Sequence, residues 1–291
     1  MKALLFGING QDGFYLSDLL LQKGVEVIGV SRSAGHWVKG DVGDREFTTR
    51  LIKKEKPDYV FHLAANSRTH YSLLYEHQST IANGTINILQ AVAEFCSESK
   101  VFITGSGLQF KNNGLPVNEE TPFEANDVYS LARIQSVFAA RYFRSRGLNV
   151  YIGYLFHHDS PHRTVDHLNR KIADAAIAAS MGNQVQLSIG DISVEKEFAF
   201  AGDIAEGIFH LVNQDNLSEA CIGTGKAYTI EKWLDLCFSS FNKNWRDFVT
   251  INTDFKPDFQ RLVSNPQKIN LSGWKPATGI DELAKLMLRS A

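Results

Sequence analysis

Ser106, Tyr129 and Arg133 are the side chains of this sequence best suited by type and spacing to move a proton to or from an oxygen atom. Tyr129 and Arg133 are four residues apart in a segment, Asn126 to Arg146, whose apolar residues Val128, Leu131, Ile134, Val137, Phe138 and Phe143 recur at helical spacing. They therefore share one helix face. A phenol of pKa about 10 is a poor acid–base group at neutral pH unless a nearby cation favours the phenolate. Arg133 supplies such a cation. Ser106 follows the apolar run Val101 to Thr104, inside Gly105-Ser106-Gly107, at the end of a strand in the same half of the sheet. Taken alone, a helical tyrosine is more often a packing residue than a catalytic one. The rest of the chain tilts the balance.

At the start of the chain, the apolar run Leu4-Leu5-Phe6 stops at Gly7, Gly10 and Gly13 and becomes helix-like from Phe14 to Lys23. Gly7 can take turn dihedrals that a side chain resists, Gly10 lets backbone approach a phosphate, and Gly13 lets the helix pack closely on the strand. The helix start then offers unpaired N–H groups and a positive dipole end to a pyrophosphate. A second apolar run, Val25 to Val30, completes a β-α-β unit. At its tip stand Ser31, Arg32 and Ser33, with no acid to accept a ribose 2′-hydroxyl. Two hydroxyls and a guanidinium suit a 2′-phosphate, so NADP(H) is expected over NAD(H).

Strands and helices alternate onward. Asp44 is placed to cap a helix through Lys56 that Pro57 ends. Asp58 to Leu63 reads as a strand, followed by Ala64-Ala65-Asn66-Ser67, small residues where backbone could pass close to a cofactor. One long helical region is expected from Ser72 to Cys96, and a further strand from Val150 to Phe156. Helix-like Val165 to Met181 follows, then α/β pieces near Asp203 to Val212 and Glu219 to Ile222. The expectation is an α/β fold, a Rossmann-type doubly wound parallel sheet with a smaller C-terminal substrate-binding lobe. Residues 1–156 would form the dinucleotide domain and 157–291 mostly the lobe, with segments near 203–222 returning to the sheet.

With 291 residues, 44% of them hydrophobic, the chain can bury a large core, and a net charge of −2 provides no bulk attraction to nucleic acid or an anionic membrane. Cys96, Cys221 and Cys237 are odd in number and far apart, which suggests neither a disulfide framework nor a zinc ribbon. Without a long apolar segment, and with Met1-Lys2 leading straight into a strand, a cytoplasmic protein with no membrane or nucleic-acid partner is expected. His157, His158, Asp159 and His162 could be read as a metal cluster, but they crowd into six residues with no supporting second group, so no metal is expected.

Several stretches together resemble the extended short-chain dehydrogenase/reductases, and within them the GDP-mannose 4,6-dehydratase and GDP-4-keto-6-deoxymannose reductase branch. They are Gly7 to Leu16, His62-Leu63-Ala64-Ala65, Glu120-Thr121-Pro122-Phe123, Leu155 to Pro161, Arg170-Lys171-Ile172 and Gly273-Trp274-Lys275-Pro276. The resemblance implies that Ser106 and Tyr129 hold a sugar C4 oxygen while hydride moves to or from nicotinamide. It implies cofactor contacts from Asn9, Gln11, Asp12, Asp41, Val42, Leu63, Ala64, Ala65, Ser67, Phe156 and His158, besides Gly7, Gly10, Gly13, Tyr129 and Arg133. A nucleotide-sugar, GDP-linked by the same resemblance, would meet His157, Ser160, Arg163, Arg170, Lys171, Lys196 and Lys256. A homodimer through the regions Ser72 to Cys96 and Asn126 to Arg146 is also implied.

The chain departs from the branch at two chemically important positions. Arg133 stands where the family carries lysine, and a guanidinium cannot relay a proton. Leu108 stands where dehydratases carry the glutamate that removes the C5 proton. Leucine has no acid–base capability and Gln109 cannot replace it. The expectation is thus an NADP(H)-dependent reductase of a nucleotide-linked 4-keto-6-deoxy sugar. A 4,6-dehydratase or epimerase is the alternative within the family, and a catalytically degenerate binding protein the alternative outside enzymes.

Overall fold

A computed structural model describes residues 1–289 of the chain. Its first half alternates strands and helices: β1 (Lys2–Phe6), α1 (Gln11–Gln22), β2 (Glu26–Ser31), β3 (Val38–Lys39), α2 (Arg45–Glu55), β4 (Tyr59–His62), α3 (Leu74–His77), α4 (Gly84–Phe95), β5 (Lys100–Ser106), α5 (Val128–Ser145) and β6 (Asn149–Leu155). The second half adds β7 (His158–Asp159), α6 (Leu168–Ser180), β8 (Leu187–Ile189), β9 (Glu195–Glu197), β10 (Ala199–Phe200), α7 (Ala201–Leu211), β11 (Glu219–Ile222), β12 (Ala227–Thr229), α8 (Ile230–Ser239), β13 (Val249–Ile251), β14 (Arg261–Leu262), α9 (Gln267–Leu271) and α10 (Ile280–Arg289).

Seven strands form one sheet in the order β11-β6-β5-β4-β1-β2-β3, and each neighbouring pair is parallel. It is the doubly wound, Rossmann-like sheet expected from the alternation. Both faces are covered, which explains why the strands read as unbroken apolar runs. Leu4 and Phe6 point into a core with Ile52 of α2, Ile88 and Leu89 of α4, and Val137 of α5. Their neighbours Ala3 and Leu5 point into the opposite core with Leu16 and Leu20 of α1 and Ile208 of α7. A third core gathers Ile172, Phe198, Trp233, Phe238, Trp245, Leu283 and Met287 from the later elements.

Local chemistry sets the boundaries. Asp44 caps α2, accepting from the Phe47 N–H at 3.0 Å, and Lys56 takes a left-handed φ of 42° just before Pro57. Helix α5 starts at Val128, later than Asn126, because Asp127 accepts from the N–H groups of Tyr129 and Ser130, each at 2.8 Å. This cap fixes Tyr129 in the first turn.

Two expected helices come out differently. In place of one helix from Ser72 to Cys96 there is a 3-10 turn (Tyr71–Leu73), α3, a π-helical turn (Gln78–Asn83) and α4. The π turn lies where Thr80, Ile81 and Ala82 are all buried, so packing overrides the regular period. Helix α6 starts at Leu168 rather than near Val165, because Asp166 is ion-paired with Arg68 and His167 accepts from Arg163. No described helix is long and apolar enough to cross a membrane.

Candidate functional site

The residues singled out in the sequence follow the carboxyl ends of adjacent parallel strands: Gly7 after β1, Ser31 at the end of β2, Leu63 after β4, Ser106 at the end of β5 and Phe156 after β6. They therefore gather along one edge of the sheet, where such folds bind ligands.

At the centre of this edge Gly7 has φ 97°, and a Cβ built there would lie 2.7 Å from the Ala64 backbone nitrogen. A Cβ on Gly13 would collide with the Gly7 carbonyl oxygen and come within 2.7 Å of Ile8 Cα. The turn thus needs two of its glycines for close backbone approach, and it brings Ala64 against it. No side chain caps the start of α1 at Gly10, so the first-turn N–H groups are left for an anion. This donor set fits a dinucleotide pyrophosphate.

Next to the turn, Asn9 Nδ2 donates to Ser33 Oγ at 3.2 Å, and the hydroxyls of Ser31 and Ser33 are 3.1 Å apart. Arg32 is not a free cation: its Nη2 lies 2.8 Å from Glu76 Oε1 of α3. Asp41 Oδ1 accepts from the Gly43 N–H at 2.8 Å, while Val42 is buried against Gly84. Ser67 and Ala65 are exposed on the segment after β4.

Tyr129 is buried against Ile81, Ala132 and Leu108. Below it the Arg133 guanidinium, 3% exposed as a residue, lies 5.1 Å from the ring centroid and donates from Nη1 to the Thr104 carbonyl at 2.7 Å. The guanidinium charge reaches further: burial first, then Arg133, pushes the His62 imidazole down to about 3. Ser106 caps a 3-10 turn (Gly107–Gln109), its Oγ accepting from the Leu108 N–H at 3.2 Å and leaving its O–H free to donate. Gln109 is spent on the same turn, with Oε1 accepting from the Ser106 N–H at 2.8 Å. Phe156 packs on Gly107, where a built Cβ would meet its ring at 2.8 Å.

The segment after β6 carries two polar groupings. His158 donates from Nε2 to Asp12 Oδ1 at 2.8 Å and from Nδ1 to the Phe156 carbonyl at 2.6 Å, which makes it an imidazolium. Burial works against that charge, but Asp12 outweighs it and holds the His158 pKa above 6.5. Burial likewise favours neutral Asp12, and the charge and hydrogen bond of His158 overcome it, setting Asp12 at about 2.

The second grouping surrounds fully buried Asp159. Asn169 Nδ2 donates to its Oδ2 at 2.6 Å, Arg163 Nε is 3.4 Å from Oδ1, and His157 Nε2 is 3.6 Å from Oδ2. Lys196 Nζ donates to His157 Nε2 at 3.2 Å and Arg163 Nη2 to His167 Nδ1 at 3.0 Å, so both imidazoles are neutral acceptors. Burial, then neighbouring cations, pushes His157 well below its ordinary value and His167 to about 4. Burial also pulls the Lys196 ammonium down to about 8.

Not every expected residue joins this group. Ser160 is fully buried and donates to Gln11 Oε1 at 2.8 Å, tying the loop to α1. Arg170 is engaged with the Pro161 carbonyl at 2.9 Å and Asp174 at 2.8 Å. Lys171 is exposed, as is Lys256, whose neighbour Phe255 packs on Gly190. Sequence reasoning did not assign Glu76, Asn169 or His167 to the site. They have no motif, and only the chain path carries them there.

A family model described as GDP-mannose 4,6 dehydratase matches residues 4–287. GDP-mannose 4,6 dehydratase 2 of Arabidopsis thaliana is 30% identical over 320 residues, covering 98% of this chain and 85% of that protein. The fold is shared with dTDP-glucose 4,6-dehydratase from Bacillus anthracis in complex with NAD, at a TM-score of 0.86 and 18% identity over 100% of this chain and 96% of that one. It is shared also with RMD from Pseudomonas aeruginosa complexed with NADPH, at a TM-score of 0.82 and 20% identity over 99% and 96% of the two chains. Together with the glycine turn and the parallel sheet, these matches establish that the chain belongs to the GDP-mannose 4,6-dehydratase family of extended short-chain dehydrogenase/reductases.

Proposed function

We propose that this protein is an NADP(H)-dependent reductase of a nucleotide-linked, GDP-bearing 4-keto-6-deoxy sugar. The observation that carries the reading is Leu108. It packs beside Tyr129, two residues after Ser106, so the position at which the family's dehydratases carry the carboxylate that removes the sugar C5 proton holds an apolar side chain with no acid–base capability. Elimination of water needs a base there, whereas reduction does not. The named Arabidopsis relative is a dehydratase, and Leu108 is the feature that sets this chain's chemistry apart from it.

The glycine turn would hold the cofactor pyrophosphate, and the group at the tip of β2 its adenosine ribose. When bound, NADPH supplies the hydride that adds to C4. The Tyr129 hydroxyl supplies the proton that completes the alcohol, and the Ser106 O–H hydrogen-bonds the same oxygen as its negative charge grows. Arg133 contributes a fixed positive charge beneath the phenol. The Lys196, His157 and Arg163 grouping would receive the nucleotide-sugar phosphates, with residues 157–291 forming most of that lobe. Exposed Leu131, Phe138 and Tyr142 on one face of α5 support a homodimer, which sedimentation would test.

Incubation with NADPH and a GDP-4-keto-6-deoxyhexose, followed at the nicotinamide absorbance, is the deciding experiment. Oxidation with a new sugar alcohol supports the reductase. Loss of water from GDP-mannose supports the dehydratase instead. Binding of both ligands without turnover supports the degenerate reading, which is favoured by the burial of Arg133 and the engagement of its Nη1 by Thr104.

A further inference from the structure

The tip of β2 lacks the acid that would hydrogen-bond a ribose 2′-hydroxyl, yet the structure brings one there from elsewhere. Glu76 Oε1 lies 2.8 Å from Arg32 Nη2. Arg32 follows β2 and Glu76 lies on α3, in the segment that follows β4, and these two strands flank β1 in the sheet. The pair therefore ties together the segments that follow the two strands flanking β1, on the same edge of the sheet as the glycine turn. Beneath it the turn and the segment after β4 are already in contact, Gly7 against Ala64. The β2 tip itself is ordered by short-range bonds: the Ser33 N–H donates to Ser31 Oγ at 3.2 Å, and Trp37 Nε1 to the Ser33 carbonyl at 2.9 Å.

We infer that Glu76 is a specificity-determining residue for the cofactor, setting how strongly NADP(H) is preferred to NAD(H). This rests on the cofactor site proposed above. A 2′-phosphate arriving at Arg32 meets a guanidinium already paired with a carboxylate. It must displace that carboxylate, and it is repelled by it. A 2′-hydroxyl meets no such conflict, because Glu76 can accept its hydrogen bond. Arg32 has 55% of its side chain exposed and Glu76 29%, so the pair is weak enough to open for a stronger anion. Glu76 thus lowers the preference that Arg32 creates.

The test is a fluorescence titration of the full chain with NADPH and with NADH, for wild type, Glu76→Gln and Arg32→Ala. Glu76→Gln should tighten NADPH by about tenfold while leaving NADH unchanged or weaker, because a like charge beside the phosphate is removed. Arg32→Ala should weaken NADPH far more than NADH. Glu76→Asp keeps the charge on a shorter stem and should give an intermediate ratio, which guards against a folding defect in Glu76→Gln. An unchanged NADPH-to-NADH ratio in Glu76→Gln, with both cofactors still bound, overturns the role of Glu76 alone. Binding of neither cofactor by wild type overturns the cofactor site and this inference with it.

Discussion

The Arg133 guanidinium lies under the Tyr129 ring, 5.1 Å from its centroid, and is anchored to β5 by the 2.7 Å bond from Nη1 to the Thr104 carbonyl. A lysine ammonium at this position would be shorter and could not offer a flat face to the ring while reaching the same carbonyl. The arrangement is built for a guanidinium. The charge is permanent, so whatever proton leaves Tyr129 must be replaced by another route than residue 133.

Tyr129→Phe should reduce turnover by roughly 10²–10⁴ with little change in NADPH affinity, because only the proton donor is removed. Arg133→Lys should also lose turnover, and should lower stability by about 1–3 kcal/mol, since the buried Thr104 carbonyl is left without its donor. Steady-state kinetics and thermal melts read both. A rise in turnover for Arg133→Lys would show that arginine is an inferior substitute rather than a residue the site is shaped around.

Leu108→Glu should not create a GDP-mannose dehydratase. The new carboxylate would enter the apolar cluster of Ile81, Tyr129 and Ala132, where burial favours its neutral form. Mass spectrometry of the sugar nucleotide should detect no loss of water from wild type or variant. Dehydration by wild type would mean that another group serves as the base.

Gly7→Ala should abolish cofactor binding before it abolishes folding. The residue has φ 97°, and the added Cβ would sit 2.7 Å from the Ala64 nitrogen, so backbone must move on both sides of the turn. Strain of on the order of 1–3 kcal/mol is expected. A melt with cofactor titration separates the two effects, and an unaltered NADPH affinity would remove the turn from the cofactor site.

Near-neighbour chemistry was readable from the sequence, and distant chemistry was not. Gly7, Gly10 and Gly13, the i, i+4 pair of Tyr129 and Arg133, and the Asp44 cap all act within one turn or one strand end, so their spacing is their geometry. Arg32 reads as a free cation because its partner lies 44 residues away. His158 and Asp12 are each expected at the cofactor through the resemblance, but their pairing is not legible, since they are 146 residues apart. The π turn at Gln78–Asn83 arises from burial against neighbouring elements, and its local pattern is that of an ordinary helix. Ser160 shows the converse. Its type suits a phosphate, but the fold uses it on Gln11.

The His158 and Asp12 pair gives the clearest pH dependence. Asp12 is depressed from 3.8 to about 2, so its contribution to stability is present above about 3.8 and is lost as pH falls through about 2. His158 is raised above 6.5, so its contribution is complete below 6.5 and is lost as pH rises through its higher folded value. The pair therefore stabilises most between these limits. His157 and His167 shift the opposite way, being held neutral, and the His158 charge itself helps to depress His157, so the comparison of wild type with His158→Gln reads the pair together with that smaller effect on His157. The Tm difference should be largest between pH 3.8 and 6.5, corresponding to about 1.5–3 kcal/mol for a charged hydrogen bond, and should shrink as pH rises past 6.5 through the raised folded value of His158. Cofactor affinity should follow the same curve. Asp12 sits in the first turn of α1, where the imidazolium neutralises a carboxylate beside the expected pyrophosphate. As His158 loses its proton that carboxylate is left uncompensated, and NADPH should bind more weakly in wild type. In His158→Gln the affinity should be weaker throughout and flat over the same range. A parallel decline in both proteins would assign the pH dependence to another group, with Lys196 at about 8 the first to examine by Lys196→Met.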